Sequence, residues 1–421
     1  MAKKKAESNT VETPTVKARR RIFYSKDREI FNDDSGYVGT GVDVPTVLYK
    51  NINSQIQRAI FSSDNLCFLM GAGSSLIKDK DGKAETGSGK SMADLWEEIK
   101  DNAEFKKINE AFITAANKNL EELLSRLESE ASHFHLNNKV TEVTAIDGQI
   151  SYIKGFIKEK CKLTLSSKFP HPKFLRNIFL RKQSHSRVKI FTLNYDTLTE
   201  QAANEVEAVV VDGFNFSHDN TFSQITFDLD IVHREKTRIH TEDNFYSKLF
   251  HLYKLHGSTN WYLKGEKIQR RNEDEKDSIM IFPHKDKFKE SYQMPFFELV
   301  SRFQSALRKT NTVLFIIGYG FGDEHINRIV KEAVIANLNL QVFVISPTAA
   351  QEGKFDEFQK LILEKGLRNL MFISSDFDAF AKNMPSIPNE EDRKNPLIGI
   401  NDPVFVEPED ILDTDDNDSI L

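Results

Sequence analysis

The stretch Leu-Cys-Phe-Leu-Met-Gly-Ala-Gly-Ser-Ser, residues 66–75, joins a short apolar run to a glycine-rich turn. Three further segments have the same form: Phe-Thr-Leu-Asn-Tyr-Asp at 191–196, Tyr-Lys-Leu-His-Gly-Ser at 253–258 and Ile-Ile-Gly-Tyr-Gly at 316–320. Apolar runs of this length, ended by turn residues, indicate buried parallel strands. In an open α/β sheet, ligands bind beyond the carboxyl ends of such strands. The four segments therefore predict one pocket at one edge of a sheet.

Strand-like and helical patterns alternate along most of the chain. The sequence predicts strands at 66–70, 188–193, 208–211, 251–255, 279–282, 312–317, 341–345 and 369–373. It predicts helices at 44–61, 197–206, 295–309, 326–336 and 355–365. This alternation is typical of an α/β protein with a Rossmann-like, doubly wound parallel sheet.

Residues from about 91 to 182 follow a helical pattern throughout. Within them, apolar side chains repeat at i, i+3, i+4 and i+7, at Leu120, Leu123, Leu124 and Leu127. This spacing places the four leucines on one face of a helix. We therefore predict a helical insertion at about 91–182 inside one central domain, residues 44–384.

Charge is concentrated at the two ends of the chain. Residues 1–21 carry seven Lys/Arg and two Glu, whereas residues 385–421 carry two Lys/Arg and eleven Asp/Glu. The remainder is nearly neutral, which argues against direct, sequence-specific binding of nucleic acid, because such domains are usually basic. The end compositions predict a mostly disordered basic arm at 1–43 and an acidic disordered tail at 385–421, with partner binding as the alternative for both.

No apolar run approaches the roughly 18–20 residues that cross a bilayer, and the lysines near the N-terminus are not followed by an apolar segment. We therefore expect a protein that is neither secreted nor inserted in a membrane. The two cysteines, Cys67 and Cys161, fall in a strand-like and a helical pattern. Both are expected to be reduced thiols of a cytoplasmic protein.

Each motif, taken singly, also has an ordinary structural explanation. Leu76 occupies the position of the third glycine of a G-x-G-x-x-G fingerprint, so a tight turn without a ligand explains Gly71 and Gly73 equally well. Asn194 alone is compatible with a turn residue. His256 alone is compatible with a core histidine bonded to backbone.

The segment Ala-Glu-Thr-Gly-Ser-Gly-Lys-Ser, residues 84–91, is one residue short of a phosphate-binding P-loop. Ala84 stands where the first glycine is needed, and residues 78–83 are polar, whereas a P-loop follows a buried strand directly. Over an ATPase site we favour a flexible loop that covers a neighbouring nucleotide site and ends at Ser91, the cap of the next helix.

Taken together and in order, Gly-Ala-Gly-Ser-Ser, Thr-Leu-Asn-Tyr-Asp, Lys-Leu-His-Gly-Ser and Ile-Ile-Gly-Tyr-Gly resemble the signature of the sirtuin superfamily. The resemblance covers roughly residues 60–350. Sirtuins bind NAD on a Rossmann-like domain, so the resemblance implies the same fold and the same ligand. Four ordered motifs are specific where each alone is not.

The resemblance assigns roles to individual residues. Asn194 would position the nicotinamide ribose or an attacking water, and His256 matches the catalytic histidine. Tyr195 and Asp196 match the pair that faces the nicotinamide amide. The other positions implied to bind NAD are, on the phosphate side, Gly71, Ala72, Gly73, Ser74 and Ser75, and elsewhere in the site Thr192, Gly318, Tyr319, Gly320 and Ser346.

The chain also departs from protein-deacylating sirtuins. Those enzymes carry a zinc module with two Cys-x-x-Cys pairs, and two isolated cysteines cannot supply four thiolates. Nor do His133 and His135 complete a ligand set, because no second ligand pair lies near them in the sequence. We therefore predict no zinc, and a helical insertion in place of the zinc module.

Loss of the zinc module with retention of the NAD-cleaving residues resembles the sirtuin-like NAD hydrolases of bacterial antiphage defence. Within that group the chain is most similar to the subunit that pairs with a HerA-type hexameric ATPase. The resemblance implies NAD+ as substrate, nicotinamide and ADP-ribose as products, and a homo-oligomer whose activity depends on the ATPase. A protein deacylase and a non-catalytic NAD-binding assembly subunit remain the alternatives.

Overall fold

The computed structural model describes residues 55–78, 84–182, 185–216, 218–232, 245–271, 278–280, 295–348, 369–373 and 375–384, with strands at 22–26 and 29–31 and positions 355, 357, 358 and 361. The tail at 385–421, most of the arm at 1–43 and most of the predicted helix at 355–365 lie outside these residues. Part of the predicted helix at 44–61 does as well.

The described strands, in chain order, are β1 Ile22–Lys26, β2 Glu29–Phe31, β3 Asn65–Met70, β4 Val188–Thr192, β5 Val209–Val211, β6 Leu249–Lys254, β7 Gly257–Lys264, β8 Lys267–Arg270, β9 Ser278–Met280, β10 Thr312–Ile317, β11 Leu340–Ile345 and β12 Leu370–Ile373. The described helices are α1 (55–62), α2 Met92–Ile99, α3 Glu110–Ala115, α4 Leu120–Leu136, α5 Val140–Lys160, α6 His171–Ile178, α7 Leu198–Glu205, α8 Phe296–Leu307, α9 Glu324–Ala336 and α10 Phe377–Lys382.

The predicted parallel sheet is confirmed. Seven strands run parallel in the order β12-β11-β10-β3-β4-β6-β5, and β1 and β2 extend this sheet antiparallel beside β12. Strand β3 lies between β4, which follows it in the chain, and β10, which comes from the later half. The strand order therefore reverses at β3, which makes its carboxyl end the switch point where ligands bind in such sheets.

Helices cover both faces of the sheet because side chains alternate along each strand. Cys67 and Leu69 of β3 pack into a cluster with α8 and α9. Their neighbours Leu66 and Phe68 point to the other face and pack with α1, α6, α7 and α10. Strands β3, β6 and β10 are buried along their whole length, as expected for strands covered on both sides.

Helices α2 to α5 lie between β3 and β4 in the chain. They form a separate helical layer with a hydrophobic core of its own. The leucines at the predicted helical spacing, Leu120, Leu123, Leu124 and Leu127, are all fully buried in it. The layer begins at Ser91, the N-cap of α2, which forms a reciprocal capping box with Asp94.

A second, antiparallel sheet of β8, β7 and β9 differs from the sequence-based expectation. The strand predicted at 279–282 is observed at Ser278–Met280, but it pairs with β7 and not with the parallel sheet. Strands β7 and β8 were not predicted. They form a hairpin whose turn contains Gly265 at φ +64, a conformation that favours glycine.

Candidate functional site

The register of the parallel sheet brings the predicted strand ends to one edge. Met70 pairs with both Thr192 and Ile317, Thr192 pairs with Lys254, and Ile317 pairs with Ile345. The residues that follow these strands therefore lie side by side. They are Gly71, Leu193, Leu255, Gly318 and Ser346.

The glycines of the first turn allow two backbones to touch. A Cβ atom on Gly73 would lie 2.7 Å from Gly318 Cα, and a Cβ on Gly71 would lie 2.7 Å from Tyr319 Cα. Gly73 N donates to Gly318 O at 2.8 Å. The space that these glycines leave is thus filled by the loop after β10, and their contact with phosphates stays a prediction. Gly320 differs, because nothing lies within 4 Å of its Cβ position.

Asn194 is held by hydroxyl groups of the first turn. Its Nδ2 donates to Ser74 Oγ at 3.1 Å and to Ser75 Oγ at 3.0 Å. Ser74 Oγ donates in turn to Gly71 O at 2.8 Å, and Ser75 Oγ donates to Asp196 Oδ2 at 2.7 Å. These bonds distinguish the two ends of the carboxamide. The NH2 group faces the serines, so Oδ1 lies on the opposite side of the group as a hydrogen-bond acceptor.

His256 follows β6 and is paired with an acidic side chain from the loop after β10. Its Nε2 lies 3.1 Å from Asp323 Oδ2, and the two side chains are only 9% and 8% exposed. The ring of Tyr195 lies beside it, with a centroid distance of 6.4 Å. The edge therefore brings Asn194, Tyr195 and His256 into one neighbourhood, as the sequence predicted.

Part of the chain that contains this edge matches a known protein family. Residues 188–370 match the SIR2-like domain. The match supports a sirtuin-like family and an activity related to NAD, and it contains Asn194, His256 and Gly318. No curated protein sequence matches the chain significantly.

A buried lysine supports the Asn194 loop of the SIR2-like domain. Lys254, the last residue of β6, is 2% exposed. Its Nζ lies 3.0 Å from Glu200 Oε1 and 3.5 Å from Tyr195 O, and it also donates to Asp196 O. The ammonium group thus ties β6 to the loop between β4 and α7. The contacts of Lys254 hold the backbone of the loop that carries Asn194 and Asp196.

The sequence did not single out Lys254 or Asp323 as parts of the site. Asp323 was visible as the residue after Gly-Tyr-Gly-Phe-Gly and before a helical pattern, which suits an N-cap. Its contact with His256 joins residues 67 apart in the chain. Neither hydrophobic periodicity nor a local motif can predict a contact between residues so far apart in the sequence.

The loop at 84–91 packs directly against the first turn, residues 71–75. Gly89 N donates to Ser75 O at 2.8 Å, and Ser88 Oγ accepts from Ile77 N at 2.8 Å. Lys90 pairs with Glu98 of α2 at 2.7 Å. In this geometry Lys90 is committed to an acidic partner, which argues further against a P-loop.

The remaining predicted residues are spread along the edge. Thr192 Oγ1 accepts from Asn194 N at 3.0 Å and donates to Met70 O at 3.3 Å. Ser346, at the end of β11, contacts Thr348 and lies away from Asn194. From β11 to β6 there are four inter-strand steps, about 19 Å at about 4.8 Å each, so the edge suits an extended ligand.

Tyr319 contributes to the site through its backbone and its hydroxyl group. Its Cα faces Gly71, and its side chain is part of the buried hydrophobic cluster that includes residues of α8 and α9. Burial raises the pKa of this hydroxyl, so it stays protonated at neutral pH. It bonds to Asp323 O at 3.0 Å and to Asn327 Oδ1 at 2.8 Å.

Two searches of the described part of the chain were negative. It contains no group of three or more His, Cys, Asp or Glu side chains that could hold a metal ion. None of its helices combines the length and the apolar character needed to traverse a bilayer. The absence of zinc stays a prediction.

A cavity of about 680 Å³ lies at the opposite edge of the sheet, where the strands begin. Arg58, Thr312 and Asn369 are among its lining residues. It shares no residue with the candidate site at the carboxyl ends of the strands.

Proposed function

We propose that this protein is an NAD+ glycohydrolase that cleaves the bond between nicotinamide and ribose. The observation that carries the proposal is the oriented carboxamide of Asn194, on the same sheet edge as the His256–Asp323 pair. The match to the SIR2-like domain supports NAD+ as the ligand.

The reaction needs a fixed sugar, a leaving group and a placed nucleophile. As the glycosidic bond breaks, nicotinamide leaves with the bonding electron pair and positive charge develops on the ribose. Water then forms the new bond to C1′ and must lose a proton. Asn194 Oδ1 can accept a hydrogen bond from this water or from a ribose hydroxyl, and His256 can accept the proton, because imidazole titrates near neutral pH.

The number and spacing of the cysteines support water, and not an acetylated lysine, as the acceptor. The chain has two cysteines, Cys67 and Cys161, which lie far apart in the sequence. Two isolated cysteines cannot supply the four thiolates of the zinc module of protein-deacylating sirtuins, so a deacylase with that module is disfavoured. The products would then be nicotinamide and ADP-ribose.

We further propose that the activity depletes cellular NAD+ during infection, as an antiphage defence of the abortive-infection kind. The support is the resemblance of the ordered motifs to defence hydrolases. By the same resemblance we propose a homo-oligomer that associates with a HerA-type hexameric ATPase. The oppositely charged ends of the chain could contribute to docking by charge complementarity.

The proposal is tested by incubating purified protein with NAD+, with and without an acetylated lysine peptide, and separating the products by chromatography. A hydrolase releases nicotinamide and ADP-ribose without the peptide. A deacylase releases nicotinamide only with it, and forms acetylated ADP-ribose. A non-catalytic subunit leaves NAD+ intact both alone and together with a HerA-type ATPase, and that outcome would overturn the proposal.

The assembly is tested separately by light scattering of the protein alone and mixed with a HerA-type ATPase. We expect an oligomer and a higher turnover number in the complex. A monomer that is fully active without a partner would contradict this part of the proposal and leave the chemistry untouched.

A further inference from the structure

The carboxylate of Asp323 makes two different kinds of contact. Oδ1 accepts from the backbone N–H groups of His325 at 3.0 Å and Ile326 at 3.3 Å, which caps helix α9. Oδ2 lies 3.1 Å from His256 Nε2, within hydrogen-bond distance. An N-cap alone needs only the first set of contacts.

The surroundings of Asp323 favour an anion and fix the position of its backbone. It sits at the amino end of a 13-residue helix, whose dipole stabilises an anion. The Tyr319 hydroxyl bonds to the backbone of Asp323, accepting from Asp323 N at 3.3 Å. Asn327 Nδ2 donates to Phe321 O at 2.8 Å and so ties the same loop to the helix. The position of Asp323 Oδ2 is thus set by the helix, and the position of His256 follows from it.

We propose that Asp323 is a positioning residue that determines which nitrogen of His256 acts as the base. An ionised carboxylate only accepts hydrogen bonds, so the nitrogen facing it, Nε2, must carry a proton. In the neutral ring the other nitrogen, Nδ1, is then the proton acceptor. The inference rests on the proposed NAD+ hydrolysis for its catalytic consequence, but the tautomer itself does not.

The proton transfer then involves water, His256 and Asp323. Water gives its proton to His256 Nδ1 as its oxygen bonds to C1′, and the imidazolium that forms keeps its Nε2–H bond to Asp323. Asp323 stabilises the positive ring and does not itself become protonated. The same carboxylate therefore holds the ring and favours its charged form.

Asp323→Asn separates this role from capping. The two helix N–H groups need an acceptor, so the amide oxygen of the new side chain replaces Oδ1. Its NH2 group then faces His256 Nε2, which must become the acceptor, and the ring proton moves to Nδ1. The cap is kept, because asparagine is as good an N-cap as aspartate, while the tautomer is reversed.

The expected result is a fall in kcat of about 10²- to 10⁴-fold, with KM for NAD+ within about threefold of the wild-type value. Loss of the carboxylate also lowers the affinity of His256 for a proton, so the acid limb of the kcat/KM profile moves to lower pH. The matched control is Asp376→Asn. Asp376 caps α10 by accepting from Ala379 N at 2.7 Å, and its substitution should change neither kcat nor the pH profile.

A measurement that does not need activity completes the test. Nitrogen NMR of protein labelled in histidine, assigned with a His256→Gln variant, reports which ring nitrogen carries the proton. We expect Nε2–H in the wild type and Nδ1–H in Asp323→Asn. Nδ1–H in the wild type, or an Asp323→Asn variant with the wild-type kcat and pH profile, would overturn the proposal. If Asp323→Asn does not fold, Asp323→Ser keeps a capping oxygen and removes the carboxylate, and the same readouts apply.

The proposed function and the role of Asp323 are contradicted by different results. Wild-type protein that leaves NAD+ intact, alone and with a HerA-type ATPase, but shows the Nε2–H tautomer contradicts the proposed function and keeps the assignment for Asp323. Wild-type protein that cleaves NAD+ with the opposite tautomer contradicts only the role of Asp323.

Discussion

Replacing Asn194 by aspartate exchanges one NH2 group for oxygen at constant shape, and so tests the orientation of this carboxamide. In the structure Nδ2 donates to the hydroxyls of Ser74 and Ser75 at 3.1 and 3.0 Å. The protons of these hydroxyls are directed to Gly71 O and to Asp196 Oδ2. A carboxylate oxygen in the place of Nδ2 would therefore meet two oxygens and no proton.

The cost of this change follows from the bonds involved. Two hydrogen bonds of about 1 kcal/mol each are lost. Ser75 can turn its proton towards the new carboxylate only by withdrawing it from Asp196, which costs about 1–3 kcal/mol for a buried acceptor. The total is about 3–5 kcal/mol. If this cost falls on the placement of Asn194 in the transition state, kcat falls by about 100-fold or more.

The assay is nicotinamide release at saturating NAD+, with thermal unfolding measured on the same samples. The matched control is Asn109→Asp. Asn109 caps α3 through an accepted bond from Ala111 N, a role that aspartate fills equally well. Turnover of Asn194→Asp within about threefold of the wild type would refute the reasoning, because the serine contacts would then have no bearing on catalysis.

Four further predictions follow from single contacts. Gly320→Ala should fold normally, since its Cβ position is open, but should weaken NAD+ binding in calorimetry if this glycine contacts the ligand; unchanged affinity would remove it from the site. Lys254→Met should lower the free energy of unfolding by about 2–4 kcal/mol, because Glu200 and two loop carbonyls lose a buried partner. Chemical denaturation should show part of that loss restored when Glu200→Leu is added, and equal additive losses would contradict the pairing. Burial lowers the pKa of His171 from 6.5 to about 3. As the pH falls below 6.5, His171 therefore takes up a proton only in the unfolded chain. The free energy of unfolding should drop by about 2 kcal/mol between pH 6.5 and pH 5 for this reason. His171→Phe should reduce that drop in urea titrations at the two pH values. Lys90→Ala should leave NAD+ cleavage largely unchanged in the chromatographic assay, because Lys90 pairs with an acidic residue of α2; a large loss would indicate a phosphate contact.

The parallel sheet and the placement of the four motifs at one edge were predictable because their signals are local. Each strand next to the site is a continuous apolar run, and Asn194 and His256 follow two of them directly. The same rule brought Gly318 and Ser346 to the edge. Residues that directly follow parallel strands lie at the same edge of the sheet. Their position therefore follows from the parallel strand order, without knowledge of any other long-range contact.

The parts that were not predictable depend on distant partners. Asp323 looks like an N-cap in the sequence, and only the fold brings it to His256. Lys254 looks like a polar residue at a strand end, and only the fold buries it against Glu200. Gly71 was assigned to phosphate contact, whereas the crowding at its Cβ position comes from Tyr319. Side-chain contacts between segments that are distant in the sequence could therefore not be predicted from the sequence.

The central claim is that Asn194 and His256 cleave the bond between nicotinamide and ribose of NAD+. The most direct measurement is the time course of nicotinamide and ADP-ribose release by purified wild-type protein, Asn194→Ala and His256→Ala, with His325→Ala as the comparison for a histidine elsewhere at this edge. The account predicts equal amounts of the two products from the wild type, none from the first two variants, and a milder loss for His325→Ala. Wild-type turnover in Asn194→Ala or His256→Ala, with the fold of each intact, would contradict it.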